Sequence, residues 1–257
     1  MASLPLSTIT AYLDELLRIR EIPDEPNAVN GLQVENAGGT VGRLIAAVDA
    51  SLATIEGIPG GDGDPLLLVH HGLFWDGNLP LTERRYRRVR ALLERNSALY
   101  AAHIPLDVHP ELGNNAVLAR QLGLREPAPF DSYRGIPLGV QGTLAPEEPR
   151  EAFVARVEGL LAAPARLISG GPPLSRRVGV ITGGAGSRIA AAKAAGLDTF
   201  LTGEGAHHTY FDAMELGLNV IYAGHYATET VGVKALAAHL AARFGLPWEF
   251  HSHPTGM

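Results

Sequence analysis

Apolar residues run along this chain in two rhythms. Short, nearly unbroken apolar runs at residues 43–49, 65–70, 98–103 and 220–223 have the length and composition of buried strands. Between them the apolar residues recur at helical spacing. A helix is predicted at 8–19, with Ser7 or Thr8 as N-cap and Leu13, Leu16 and Leu17 on one face; others follow at 51–56, 82–94 and 114–122. The stretch 21–30 holds Pro23 and Pro26 and reads as a loop. From 177 to 224 the pattern alternates strand, helix, strand, helix, strand, which predicts a layered βαβ fold. A Pro/Gly-rich stretch at 126–148 interrupts the alternation and marks the expected domain boundary.

The pattern also repeats. Arg43 opens a strand that leads through Ser51 and a short helix to Asp64, a second strand and then His71-Gly72. Arg177 opens a strand that leads through Ser187 and a helix to Asp198, a second strand and then Glu204-Gly205. The near-equal spacing predicts a duplicated α/β unit in which Glu204 takes the place of His71.

Composition narrows the chemistry. Of the 257 residues, 46% are apolar and 19% charged, which provides a large core and excludes a disordered chain. The net charge of −6 argues against a general nucleic-acid binder. Cysteine is absent, so disulfides, thiolate zinc sites and cysteine nucleophiles are excluded. There is no apolar run of about 18 residues. Asp14 and Glu15 stand where a signal peptide would be apolar, so the expected address is the cytoplasm.

Three segments at the ends of predicted strands concentrate histidines and carboxylates: Val69-His70-His71-Gly72, the run from His103 through Asp107 to His109, and His225-Tyr226-Ala227-Thr228-Glu229. Strand ends are where open α/β sheets bind ligands. Imidazole and carboxylate without thiolate suit Fe, Mn, Zn or Ni. Each group also has a plainer reading: one core and one exposed histidine at 70 and 71, a surface i, i+4 pair at 225 and 229, a turn aspartate at 107. Pro105 is expected to hold the backbone extended and aim Asp107 outward. Candidates at three strand ends together outweigh those readings.

Five ordered motifs carry a family resemblance: Asn30-Gly31-Leu32-Gln33-Val34-Glu35, Val69-His70-His71-Gly72-Leu73-Phe74-Trp75, His103-Ile104-Pro105-Leu106-Asp107, Leu112-Gly113-Asn114-Asn115 and Gly224-His225-Tyr226-Ala227-Thr228-Glu229. In these the chain resembles the NIF3-like dinuclear metal proteins, also called GTP cyclohydrolase 1 type 2 homologues. The resemblance implies an α/β fold of two similar, intertwined α/β/α domains with a dinuclear metal site in the cleft between them. The first domain would take 1–126 plus about 222–257, the second about 127–221. It further implies two divalent ions per chain, with His70, His71, Asp107, His225 and Glu229 as ligands, and a toroidal homohexamer. His103 is expected behind the ligands or as an acid–base group, and Glu204 as a residue lining the site. Longer relatives insert an extra domain that this chain has no room for.

Other signals count for less. Arg84, Arg85, Arg87, Arg88 and Arg90 are expected on the solvent side of a helix whose Tyr86, Val89 and Leu93 face the core, where they could steer an anionic substrate. Residues 183–187, Gly-Gly-Ala-Gly-Ser, read as a tight strand-to-helix turn. His207 and His208 are expected on a helix surface, and His251 and His253 on an exposed strand end. The expectation is a metal-dependent hydrolase of a nucleotide-like substrate, with GTP opened at guanine C8 and formate released. The alternatives are a metal-handling or scaffold ring protein and a two-metal phosphoesterase.

Overall fold

The computed structural model describes residues 3–60 and 63–257 of the chain. They fall into two compact units, the first of residues 1–106 and 233–253, the second of 107–232 and 254–257. The chain therefore passes between the units repeatedly, as expected of intertwined domains.

In the first unit, β1 (Leu4–Pro5) leads into helix α1 (Leu6–Leu16). The strands that follow are β2 (Gly31–Val34), β3 (Thr40–Val41), β4 (Arg43–Asp49), β5 (Pro65–His71) and β6 (Ala98–Ala101). Helix α2 (Leu52–Glu56) joins β4 to β5, and α3 (Glu83–Glu94) joins β5 to β6. Helix α4 (Ile104–Asp107) is a single turn after β6.

In the second unit come α5 (Asn114–Gln121), β7 (Arg125–Tyr133), β8 (Ile136–Pro149), α6 (Arg150–Leu161), β9 (Arg166–Ser169) and β10 (Leu174–Val180). Then α7 (Ile189–Ala194), β11 (Thr199–Thr202), α8 (Thr209–Leu216) and β12 (Asn219–Tyr222) complete its sheet. Helix α9 (His225–Phe244) starts in the second unit and ends in the first, where β13 (Trp248–Phe250) closes the series.

The first sheet has the order β13-β4-β5-β6-β2, with β13, β4, β5 and β6 parallel and β2 antiparallel. Both of its faces are covered, which is why β4 and β5 read as continuous apolar runs rather than alternating ones. Ile45, Leu67, Val69 and Leu99 pack in one cluster with Ile55 of α2 and Leu92 of α3. On the opposite face Tyr100, fully buried, donates its hydroxyl to Asp14 of α1 at 2.8 Å.

The second sheet has the order β7-β8-β10-β11-β12-β9. Here β10, β11 and β12 are parallel and β9 lies antiparallel to β12. Four strands thus repeat in order and direction, β4-β5-β6-β2 and β10-β11-β12-β9. The registers agree as well. Leu44–Leu66–Ala98 form one row of the first sheet, and Val178–Thr199–Asn219 the matching row of the second. His71 and Glu204 each lie five residues past their member of that row (71 − 66 and 204 − 199). The expected match of His71 with Glu204 therefore holds at the level of backbone pairing.

Some expectations need correction. The stretch 126–148 is not a linker: β7 and β8 form a hairpin within the second sheet. Pro127 and Pro129 are tolerated because β7 is an edge strand with irregular register between Arg125 and Ala128. The units accordingly divide after Leu106 and Gly232, not near 126 and 222. Pro105 does not extend the chain but stands in the first turn of α4, where its missing N–H breaks no intrahelical bond. On α3 the inward face carries Arg85, Ala91 and Leu92, while Tyr86 and Leu93 are exposed. His251 is mostly buried, and its N–H donates to Ala46 O at 2.8 Å. No helix of the described residues is long and apolar enough to cross a membrane.

Candidate metal centre

In the first unit the end of β5 and the segment after β6 bring three imidazoles together. The ring centroids of His70 and His71 are 4.8 Å apart, those of His70 and His103 4.9 Å, and those of His71 and His103 5.6 Å. One ligand nitrogen of each lies within 4.8 Å of those of the other two, close enough for a common ion.

Each ring is fixed through Nδ1. His70 Nδ1 lies 2.9 Å from Ala102 O; a carbonyl only accepts, so Nδ1 carries the proton. His71 Nδ1 lies 2.9 Å from Asp49 Oδ1, and His103 Nδ1 lies 2.8 Å from Asp24 Oδ1. An oxygen acceptor behind Nδ1 fixes the tautomer and leaves the Nε2 lone pair for a metal, the usual outer support of metal-binding histidines.

The surroundings hold this arrangement. Gln33 of β2 accepts from Leu73 N–H at 2.8 Å and donates to Ala28 O and Val29 O, which pins the turn after β5. Gly72 lies so close to the Gln33 amide that any side chain there would collide with it. Asp24 accepts from His103 and also from Ile104 N–H and the Asn30 amide, at 2.9 and 2.8 Å. Burial raises the Asp24 pKa, but the His103 hydrogen bond and charge outweigh it and hold the carboxyl below its ordinary value.

In the second unit, α9 begins directly after β12 and places His225 and Glu229 on one face, one turn apart. His225 Nε2 lies 3.1 Å from Glu229 Oε1, and its Nδ1 lies 2.7 Å from Glu204 Oε1. Burial alone would depress the His225 pKa; hydrogen bonds and charge from Glu229 and Glu204 overcome this and push it up to about 9. In this state the ring is an imidazolium clamped between carboxylates, and a cation bound at Nε2 replaces its proton.

Gly183, with φ +69°, lies against Glu229 and His225, and a Cβ there would run into Glu229 Oε1. Its N–H donates to Thr228 Oγ1 at 3.1 Å. The preceding Thr182 donates to Asn115 and reaches Asp107 Oδ1 at 3.5 Å, and Asn114 donates to the same Asp107 oxygen at 2.8 Å. Asp107 is buried and also borders a cavity of about 450 Å³, walled mainly by Val108, Ala119, Leu124, Pro129 and Leu138, with Arg120 as its cation.

His70, His71 and His103 thus converge in the first unit, and Glu204, His225 and Glu229 in the second, with Asp107 held beside the Thr182–Gly183 turn. His207 lies exposed, its ring against Phe211 at 5.8 Å, and His208 is likewise exposed. The residues missed from sequence are Asp24, Asp49, Thr182 and Gly183. Of these only Gly183 left a signal, as part of a glycine-rich turn.

The donor set fits divalent metal on observations of this structure. Four imidazoles have Nδ1 turned to an oxygen, and the Gly183 backbone leaves room in front of Glu229 that any side chain would fill. The Trp75 indole Nε1 is buried with no hydrogen-bond partner among the described residues. Its ring packs edge-on against His103 at 4.6 Å and His71 at 5.5 Å, which walls the imidazoles on that side.

Comparison with known proteins agrees with the fold. The model of the Duf34/NIF3 (NGG1p interacting factor 3) family matches residues 4–255. The chain belongs to that family. This NIF3 family member is 46% identical over 249 residues to the GTP cyclohydrolase 1 type 2 homolog of Deinococcus radiodurans, covering 97% of this chain and 93% of that one. Its structure resembles the crystal structure of a Thermus thermophilus protein, with TM-score 0.88, 42% identity and coverage of 99% and 100%. It also resembles reduced HcgD from Methanocaldococcus jannaschii, with TM-score 0.82, 25% identity and coverage of 98% and 100%.

Proposed function

We propose that this NIF3 family member is a hydrolase dependent on two divalent metal ions, with His70, His71, Asp107, His225 and Glu229 as ligands. The observation that carries the proposal is the common state of the imidazoles. His70, His71 and His225 each commit Nδ1 to an oxygen, so that Nε2 is the nitrogen a metal would take; on His225 the ion would replace the proton shared with Glu229. Bound ions would supply an activated water near neutral pH and polarise the bond under attack.

The chain's own residues do the rest. Asp49 and Glu204 orient His71 and His225 and neutralise charge behind them. Asn114 fixes the Asp107 carboxylate by a hydrogen bond to one oxygen, with the Thr182 hydroxyl beside it. The cavity beside Asp107 is of a size that holds a small organic ring system, and Arg120 gives it one anion partner. The relatives' name points to GTP as the substrate to try first, with the bond to guanine C8 as the one opened.

The test is GTP turnover by protein reconstituted with metal under anaerobic conditions, following formate and phosphate together, with Glu229→Ala as control. Formate from the wild type, reduced at least 100-fold in the variant, is the expected outcome. Phosphate without formate would replace the cyclohydrolase with a phosphoesterase. Neither product, with metal confirmed, would favour metal handling.

A further inference from the structure

The cavity bordered by Asp107 lies wholly within the second unit. We infer that it binds a small, flat, largely apolar ring carrying a single anionic group, a carboxylate or a phosphate. This deepens the hydrolase reading by naming a class of substrate, and the turnover of such a ligand rests on that reading.

The walls owe their chemistry to the sequence. Pro110, Pro127, Pro129 and Pro137 line the cavity, and proline has no backbone N–H to offer a ligand. Ala116 and Ala119 of α5 line it too, with short side chains that leave the space open. A ligand polar along its whole length would give up water there without gaining partners, whereas an apolar ring gains by burial. At about 450 Å³ the space has the size of a small-molecule site.

The walls are also held in place. Asn115 of α5 donates to Leu138 O at 2.8 Å and accepts from Thr182 N–H at 2.8 Å, which ties the helix to the sheet. Gln141 of β8 donates to Pro129 O of β7 at 3.2 Å. Gly139 packs so closely against Phe130 and Ile181 that a Cβ would collide with both. A preformed space of this kind costs little ordering when a ligand enters.

One end is polar. His109 Nδ1 accepts from Glu111 N–H at 3.2 Å and Leu112 N–H at 3.1 Å, which puts the ring hydrogen on Nε2 and makes that atom a donor. Arg120 donates to Glu111 O at 3.2 Å. Both side chains are fastened to the main chain of Glu111, so they stand at the same end of the cavity. The rest of the guanidinium fork matches one carboxylate or phosphate. Arg120 is exposed while Leu124 and Leu138 are buried, which sets the anionic group toward solvent and the ring inward. Among the described residues no other arginine or lysine lines the cavity, and the Asp107 carboxylate repels a second negative charge. The ligand is thereby held to one anionic group.

Calorimetry on the full-length protein tests this, as purified and after removal of metal with a chelator, with metal content measured alongside. The probes share one ring: 2-naphthoate, the neutral 2-naphthamide and the dianion naphthalene-2,6-dicarboxylate. The variants are Arg120→Ala, Arg120→Lys and Ala116→Phe, with circular dichroism as the check on folding. The wild type should bind 2-naphthoate at least 10-fold more tightly than either analogue. Arg120→Ala should lose at least 10-fold and no longer separate acid from amide, with Arg120→Lys between the two. Ala116→Phe, which fills the space, should lose at least 10-fold.

A wild type that does not bind 2-naphthoate, or binds acid and amide alike, overturns the inference. So does a folded Arg120→Ala that keeps the discrimination. If Ala116→Phe does not fold, the two Arg120 variants decide. A lower mass of Ala116→Phe in light scattering, with no 2-naphthoate bound by the wild type, would give the cavity to a second copy of the chain and overturn the inference as well. Binding of 2-naphthoate by a wild type that takes up no metal would uphold the cavity and end the metal-dependent reading. Metal uptake without 2-naphthoate binding would do the reverse.

Discussion

Gly183 shows how closely single residues set the site. Its φ of +69° favours glycine, and the absent Cβ leaves space in front of Glu229 and His225. Gly183→Ala is expected to lower stability by about 1–3 kcal/mol, from backbone strain and from displacing Glu229. It should also reduce metal per chain; thermal melting and elemental analysis check the two effects. A variant with wild-type melting and metal content would show that the turn yields freely.

At this scale the candidate ligands were legible because they lie in short segments at strand ends. Their supporting carboxylates were not. Asp24 and Asp49 lie 79 and 22 positions from His103 and His71. Nothing in local spacing distinguishes them from ordinary loop or strand-end acids, and only folding brings them behind the imidazoles.

At the scale of elements, α3 is the case in which periodicity misled. Tyr86, Val89 and Leu93 look like a core stripe, yet only Val89 packs against the core; Tyr86 and Leu93 are exposed, and the face turned inward carries Arg85. Its guanidinium binds Asp76 at 2.5 Å and the carbonyls of Leu79 and Gly77. An arginine whose donors are satisfied in this way can be buried while its stem covers apolar surface. Arg85→Met is therefore expected to cost about 2 kcal/mol in urea unfolding, softened by Arg84, which also binds Asp76. Arg87→Met, on the exposed side, should stay within about 0.5 kcal/mol.

The same pairing predicts a pH effect. Hydrogen bonds from Arg85 and then Arg84 lower the Asp76 pKa from 3.8 to about 2. A lowered pKa in the folded state means that the stabilisation is complete above about pH 4. It is lost as the pH falls toward 2. Arg85→Met should flatten that part of the stability–pH curve, and a curve parallel to the wild type's would contradict the assignment.

Most strands were legible from their apolar runs, and β4 has the expected limits. The β7–β8 hairpin was not, because prolines signal breaks in sequence and an edge strand accommodates them. The short strand β2 was also missed, since four residues of mixed polarity carry little pattern, and the strand expected at His251 and His253 lies just before them, at Trp248–Phe250.

At the scale of the molecule, the duplicated four-strand pattern explains why ligand candidates recur at strand ends. Each copy places a candidate site residue at or just past the end of its second strand: His71 closes β5, and Glu204 follows two residues after β11. The copies have diverged in role. In the proposed site His71 would offer its own Nε2, whereas Glu204 accepts from His225 Nδ1. The repeat was visible in sequence because Arg, Ser and Asp recur at near-equal spacing; the difference in role was not, because it depends on which side chain lies behind which.

The central claim is that these side chains hold metal, and elemental analysis of anaerobically reconstituted protein tests it most directly. The wild type should carry two divalent ions per chain, and Glu229→Ala, with its fold intact, should carry fewer. A wild type without bound ions, or a folded Glu229→Ala with undiminished metal, would contradict the account.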